Sequence, residues 1–138
     1  MLSLRTKATL EKLEKAVQTN IDWARQQRQA ALDLAKNEQS VQKNVYEGHA
    51  EALTEIEKEL SSAEAKAKEL VARRDAKIDE ALAILVQLKT DFAEHKAEID
   101  KIYQLDMNNW RTLGKSEMYQ KINTTVDHLL SEIKSANA

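Results

Sequence analysis

A heptad seam runs through the centre of this chain and slips once by four residues. Leu53, Ile56, Leu60, Ala63, Ala67 and Leu70 keep the alternating three-and-four spacing of a coiled-coil stripe. Ile78, Ala81, Leu85, Leu88, Phe92, His95, Ile99 and Ile102 keep it again in a shifted register. Arg74 and Lys77 stand where the first register asks for apolar knobs. The step from Arg74 to Ile78 therefore reads as a stutter, an insertion that unwinds a left-handed supercoil locally and leaves the helix continuous. A seam of this kind specifies partner helices, not a substrate pocket.

The rest of the chain agrees with long helices. Proline is absent, Gly48 and Gly114 are the only glycines, and 32% of the 138 residues are charged. With two Trp, three Tyr and one Phe, any core must be built mainly from Leu, Ile, Val and Ala, which makes it thin and of bundle type. No cysteine is present, so disulfides, thiolate nucleophiles and Cys-based metal sites are excluded. The longest apolar run, Ala81 to Val86, is far short of the ~20 residues a membrane span needs. A soluble, cytoplasmic protein is the expectation.

A first segment carries its own heptad, Leu10, Leu13, Val17, Asn20, Ala24, Gln27, Ala31, Leu34, Glu38, Val41 and Val45, with polar residues at several seam positions. Gly48 falls where this register ends, and glycine is the usual residue just past a helix C-terminus, so a turn is expected there. The polar cluster Asn37 to Ser40 is a softer boundary and ranks below it. From His49 to Met107 no residue breaks a helix, and a turn at residues 71–76 would lack the Gly, Pro or Asn that make turns cheap. A continuous helix of that length would span about 88 Å. Residues 108–115, with two asparagines and Gly114, read as a connection, after which Ser116 caps a short helix with the stripe Tyr119, Ile122, Val126, Leu129 and Ile133.

The candidates for chemistry are few. None of His49, His95 and His128 follows a glutamate by three residues, which removes the di-iron Glu-x-x-His pattern, and His-Glu-x-x-His is absent. Asp91, His95 and Glu98 share a helix face but lack a fourth ligand. His95 has a second reading, because a polar residue in the seam fixes register and a buried histidine makes association sensitive to pH. No nucleophile elbow and no phosphate loop occurs. Two mixed basic and aromatic patches, Trp23 to Arg28 and Trp110-Arg111 with Lys115 and Lys121, are too sparse for phosphate contacts in a chain of net charge −2.

The expected fold is all-α: an elongated antiparallel helical hairpin or coiled coil with a short third C-terminal helix, of three-helix-bundle type. It forms one helical domain over residues 1–138, with helices over about 3–46, 49–107 and 116–135. Spectrin-like repeats are the architectural analogy. No cofactor, metal or catalytic residue is assigned. The expected function is non-catalytic assembly or adaptor work through coiled-coil association with another protein or with itself, as a homodimer or small homo-oligomer. Its expected surface comprises Leu60, Leu70, Ile78, Leu85, Leu88, Phe92, His95, Ile99 and Ile102, with Arg74 and Lys77 at the slip and Trp23 and Trp110 as anchors. Nucleic acid is not expected as a partner. The alternative is an amphipathic protein that coats lipid or granule surfaces, since the composition resembles that of granule-coating and apolipoprotein-type proteins. The narrow stripe and the acidic bias of residues 48–107 place a membrane surface behind a protein partner.

Overall fold

The computed structural model describes residues 3–136, so residues 1, 2, 137 and 138 of the expected domain lie outside the described residues. The described residues are all-α, in line with the composition, but they form four helices where three are expected. They are α1 (Leu4–Asn37), α2 (Gln42–Ala72), α3 (Ile78–Leu105) and α4 (Trp110–Ala136). At 1.5 Å per residue the bundle is roughly 40–50 Å long, half the span of the single long helix expected over 49–107. The expected three-helix form is corrected to an up-and-down bundle. Each helix runs antiparallel to the next, so α2 and α4 are parallel.

The expected stutter is a turn. Residues 73–77 separate α2 from α3, and Arg73 is extended, with φ −88° and ψ 145°. No residue among those described has positive φ, so glycine is not required. Side chains take its place. The Arg73 guanidinium bonds Asp75 at 3.1 Å and both oxygens of Glu80 at 3.0 and 3.3 Å, while Glu80 accepts the Lys77 backbone N–H at 2.9 Å. Those partners hold the Asp75 and Glu80 carboxyls below their ordinary values, chiefly through Arg73 for Asp75 and through the Lys77 backbone for Glu80. Ala76 turns inward and is buried, closing the core under the turn.

Two further boundaries are corrected in the same way. The first helix ends at Asn37, not at Gly48, because Glu38 folds back to accept N–H and O–H bonds from Gln39 and Ser40. The last helix begins at Trp110, not at Ser116, because the Asn109 side chain accepts the Thr112 N–H at 3.1 Å and caps it. Gly48 and Gly114 therefore both lie inside helices.

Their role is to let two backbones touch. A Cβ on Gly48 would fall against the carbonyl oxygen of Arg111, and one on Gly114 against that of Val45, closer than real Cβ atoms come. The two glycines are reciprocal, each opposite a carbonyl of the other's helix, and both are buried. Arg111 closes the crossing by pairing with Glu47 and, at 3.3 Å, with Glu51, which Lys115 also reaches at 3.3 Å. Elsewhere α2 packs along α1 as well as α4, α4 packs along α3, and α1 meets α3 over a short stretch.

The core is chiefly apolar and occupies the bundle axis. From α2 it takes Leu53, Ile56, Leu60, Ala63, Ala67 and Leu70, the expected seam without exception. From α1 it takes Leu10, Leu13, Val17, Ile21 and Ala24, with Ala31 and Ala35 also buried. Beyond Val17 this stripe advances one residue from the expected Asn20, Gln27 and Leu34. An ideal helix drifts against a strict heptad, and with no supercoil imposed the buried face follows the 3.6-residue period.

Candidate functional site

The seam residues expected at a partner surface are mostly spent inside the chain. Leu60, Leu70, Leu85, Leu88 and Phe92 are buried in the bundle's own core, packed with Tyr119, Ile122, Val126 and Ile133 of α4. Trp23 is half-buried against that core, and Ile78, Ile99 and Trp110 are also half-buried. Ile102 is exposed, as are Arg74 and Lys77 at the α2–α3 turn. The structure thus divides one expected surface into an interior and a remainder that faces solvent.

The exposed apolar side chains gather at one end, opposite the α2–α3 turn that carries Arg74 and Lys77. Because the helices alternate in direction, the α1–α2 and α3–α4 turns lie side by side, joined by the glycine crossing. Six of the eight large apolar side chains exposed among the described residues are in or within two turns of helix from this end: Leu32, Leu34, Val41, Ile102, Leu105 and Met107. Leu105 is 90% exposed and Met107 64%, values unusual for side chains that gain ~1.5–3 kcal/mol on burial. Leu105 and Met107 fall outside every periodic stripe, and nothing in the sequence distinguished them from ordinary helix-end residues.

A second feature lies in the middle of the bundle, where α2, α3 and α4 converge. His95 Nε2 is 2.7 Å from Glu59 Oε1, and the Tyr119 hydroxyl donates to Glu55 Oε2 at 2.7 Å. The His95 and Tyr119 rings lie 5.6 Å apart, and Phe92 leans on Tyr119 from below at 6.1 Å. The second oxygen of Glu59 is buried and has no hydrogen-bond partner. Burial raises the Glu59 carboxyl above its ordinary value, with Asp91 and Glu55 adding to the rise and His95 opposing it. Burial, and then the Glu55 carboxylate, keep the Tyr119 phenol protonated far into the alkaline range. Sequence reasoning found His95 at the seam but missed Glu55, Glu59 and Tyr119. Their spacing was visible, since Glu55 and Glu59 share a face beside the seam.

Metal chemistry finds no donor set. Among the described residues no group of three or more His, Cys, Asp or Glu side chains could hold a metal ion. Within the Asp91, His95 and Glu98 set, His95 is turned to Glu59 and Asp91 accepts from Gln87 at 2.8 Å. A shallow cleft of about 80 Å³ beside Glu59, lined by Ser62, Lys66, Gln87 and Asp91 among others, is too small for an organic substrate. Among the described residues no helix is long and apolar enough to cross a membrane.

These surfaces and this core define an all-α, bundle-type protein with one apolar end and a polar waist. Comparison with protein-family models, with curated proteins and with solved structures finds no match to the chain.

Proposed function

We propose that this is a non-catalytic assembly or adaptor protein that works by helix-mediated protein association, and that its association surface is the end formed by the α1–α2 and α3–α4 turns. The observation that carries this reading is the concentration there of Leu34, Val41, Ile102, Leu105 and Met107, all more than half exposed. The partner we favour is a second copy of the chain. Around the apolar residues, Lys36, Lys43 and Lys101 are matched by Asp33, Glu38 and Asp106, and such a balanced rim suits an isologous contact better than an anionic lipid surface or nucleic acid. The end of a four-helix bundle is roughly 20 Å across, given helices about 10 Å in diameter. Two such faces bury an area below the ~1,200–2,000 Å² of a standard interface, so the association should be reversible and weak.

Sedimentation equilibrium across a wide concentration range tests this. The expected result is a mass that rises with concentration in the unmodified chain and stays monomeric in L105E/M107E, with V86E, an exposed apolar position in the N-terminal third of α3, behaving as wild type. A chain that remains monomeric at all concentrations overturns the self-association reading. Flotation of the wild type, but not of L105E/M107E, with lipid vesicles would replace it by the surface-coating alternative, which draws on the same side chains.

A further inference from the structure

The α2–α3 turn divides the bundle into two hairpins, α1 with α2 and α3 with α4, which meet mainly where α2 lies along α4. Leu53, Ile56 and Leu60 from the first share one core with Phe92, Tyr119 and Ile122 from the second. The glycine crossing joins the two backbone to backbone, and Lys115 with Glu51 at 3.3 Å and Lys12 with Glu132 at 3.7 Å bridge them at the surface. Other pairs stay within one hairpin, such as Arg28 with Glu57 at 2.6 Å and Lys89 with Asp127 at 2.9 Å. Each hairpin therefore presents one face that only the other type of hairpin fits. A second copy of the chain offers that same complement, and residues 73–77 alone distinguish the two arrangements.

Those residues are poorly suited to a turn and well suited to a helix. Val71-Ala72-Arg73-Arg74-Asp75-Ala76-Lys77-Ile78 contains no Gly, Pro or Asn, and Ala, Arg and Lys are strong helix formers. The turn is held by the Arg73 guanidinium, more than a third exposed, on Asp75 and Glu80, and exposed pairs of this kind are weak. A continuous helix would instead pair the last carbonyls of α2 with the first amides of α3. The four-residue slip between Leu70 and Ile78 is a spacing that a continuous helix absorbs as a stutter, keeping both apolar stripes on one side.

We infer that the chain has a second folded form, a hinge-opened dimer, in which residues 73–77 join α2 and α3 into one helix and the α1–α2 hairpin of each copy closes on the α3–α4 hairpin of the other. Every contact between hairpins is remade with the second copy, and only the hinge changes. The joined helix, from Gln42 to Leu105, is about 95 Å long, and the two bundles lie end to end across the hinge. The apolar ends stand at its two far tips, so this form is independent of the end contact. Exchange requires the hairpins to part and expose their shared core. A folded monomer therefore converts slowly, and chain concentration during folding decides which form is made.

Refolding tests the inference in L105E/M107E, where the end contact is removed. An equal mixture of isotopically light and heavy chains is unfolded in urea, refolded at about 1 μM or about 1 mM, and brought to one low concentration. The concentrated sample should contain a species of twice the monomer mass that persists on dilution. Carbodiimide, which couples amines to carboxylates in direct contact, should link Lys115 to Glu51 and Lys12 to Glu132 between chains of unlike label in that species, while Lys89 to Asp127 stays within one label. Arg74→Gly with Asp75→Gly places two glycines in each joined helix and should lower the dimerisation constant roughly tenfold or more, with the monomer still folded. Deletion of residues 74–77 puts Leu70 and Ile78 in one unbroken heptad and leaves too little chain to reverse direction, so it should be dimeric from either refold. Monomer alone from the concentrated refold, a dimer without mixed-label links, a dimer undiminished by the glycines, or a folded monomer from the deletion each overturns the inference.

Discussion

The two halves of the bundle solve the same packing problem in opposite ways. In the half that contains the α2–α3 turn, Leu10, Leu13 and Val17 of α1, Leu60 and Leu70 of α2, Ile84 and Leu85 of α3, and Ile133 of α4 all turn inward, and the helices are spaced by their side chains. Lys12 and Glu132 bridge α1 to α4 on its surface at 3.7 Å. In the half that contains the other two turns, α2 and α4 touch backbone to backbone at Gly48 and Gly114. No layer of side chains fits between them there. With α1 held on α2 and α3 held on α4, the outer helices have no shared core to enter, and Leu34 and Ile102 are left in solvent. The same heptad residues that would be knobs in a coiled coil become surface.

The contrast makes the two halves sensitive to opposite kinds of substitution. The largest effect should follow truncation in the filled half. Leu60 is fully buried in the core, so Leu60→Ala should cost about 2–5 kcal/mol, read as a lower urea midpoint with unchanged slope. A cost below about 1 kcal/mol would mean the core around Leu60 is loose, and the distinction between the halves would fail.

Enlargement should matter most at the glycine crossing. Gly48→Ala and Gly114→Ala each gain about 1 kcal/mol of helix propensity, yet each places a methyl group against a carbonyl that belongs to the other helix's backbone and cannot rotate away. The net cost should be about 1–3 kcal/mol, the usual range for overpacking, and Gly48→Ala should also weaken the Arg111 pairing with Glu47 and Glu51 by pushing α4 outward. Net stabilisation in either variant would show that the helices do not approach as closely as described.

This crossing also explains what was legible in the sequence and what was not. The α2 stripe from Leu53 to Leu70 was readable in full, because apolar spacing is itself the physical cause of burial. Gly48 and Gly114 were not, since glycine marks a turn and a close backbone approach with the same letter, and only the partner helix distinguishes the two. The turn at residues 73–77 was hidden for a different reason. It is made by the long side chains of Arg73 and Glu80, which carry no turn preference of their own, on a backbone any residue can adopt. The slip in register was correctly located and wrongly interpreted, because a four-residue insertion and a short extended turn displace the pattern alike. At the waist, His95 was visible as a polar seam residue, but its partners Glu59 and Tyr119 lie 36 and 24 positions away, and no spacing rule brings them together.

The smallest effect is the most discriminating. Leu34 sits on the strict heptad of α1, whereas Ala35 beside it is the residue that is buried. If α1 continued as a coiled-coil strand to its C-terminus, Leu34 would be a knob and its removal would cost as much as that of Leu60. With the buried face following the 3.6-residue period instead, Leu34→Ala should change the stability of the monomer by no more than about 0.5 kcal/mol, the range for surface positions. Its consequence should appear only in self-association, where loss of an apolar side chain from the bundle end shifts the sedimentation equilibrium toward monomer. A chain in which Leu34→Ala is costly and Leu60→Ala is mild would reverse the assignment of filled and open halves, and with it the choice of which end of the bundle meets a partner.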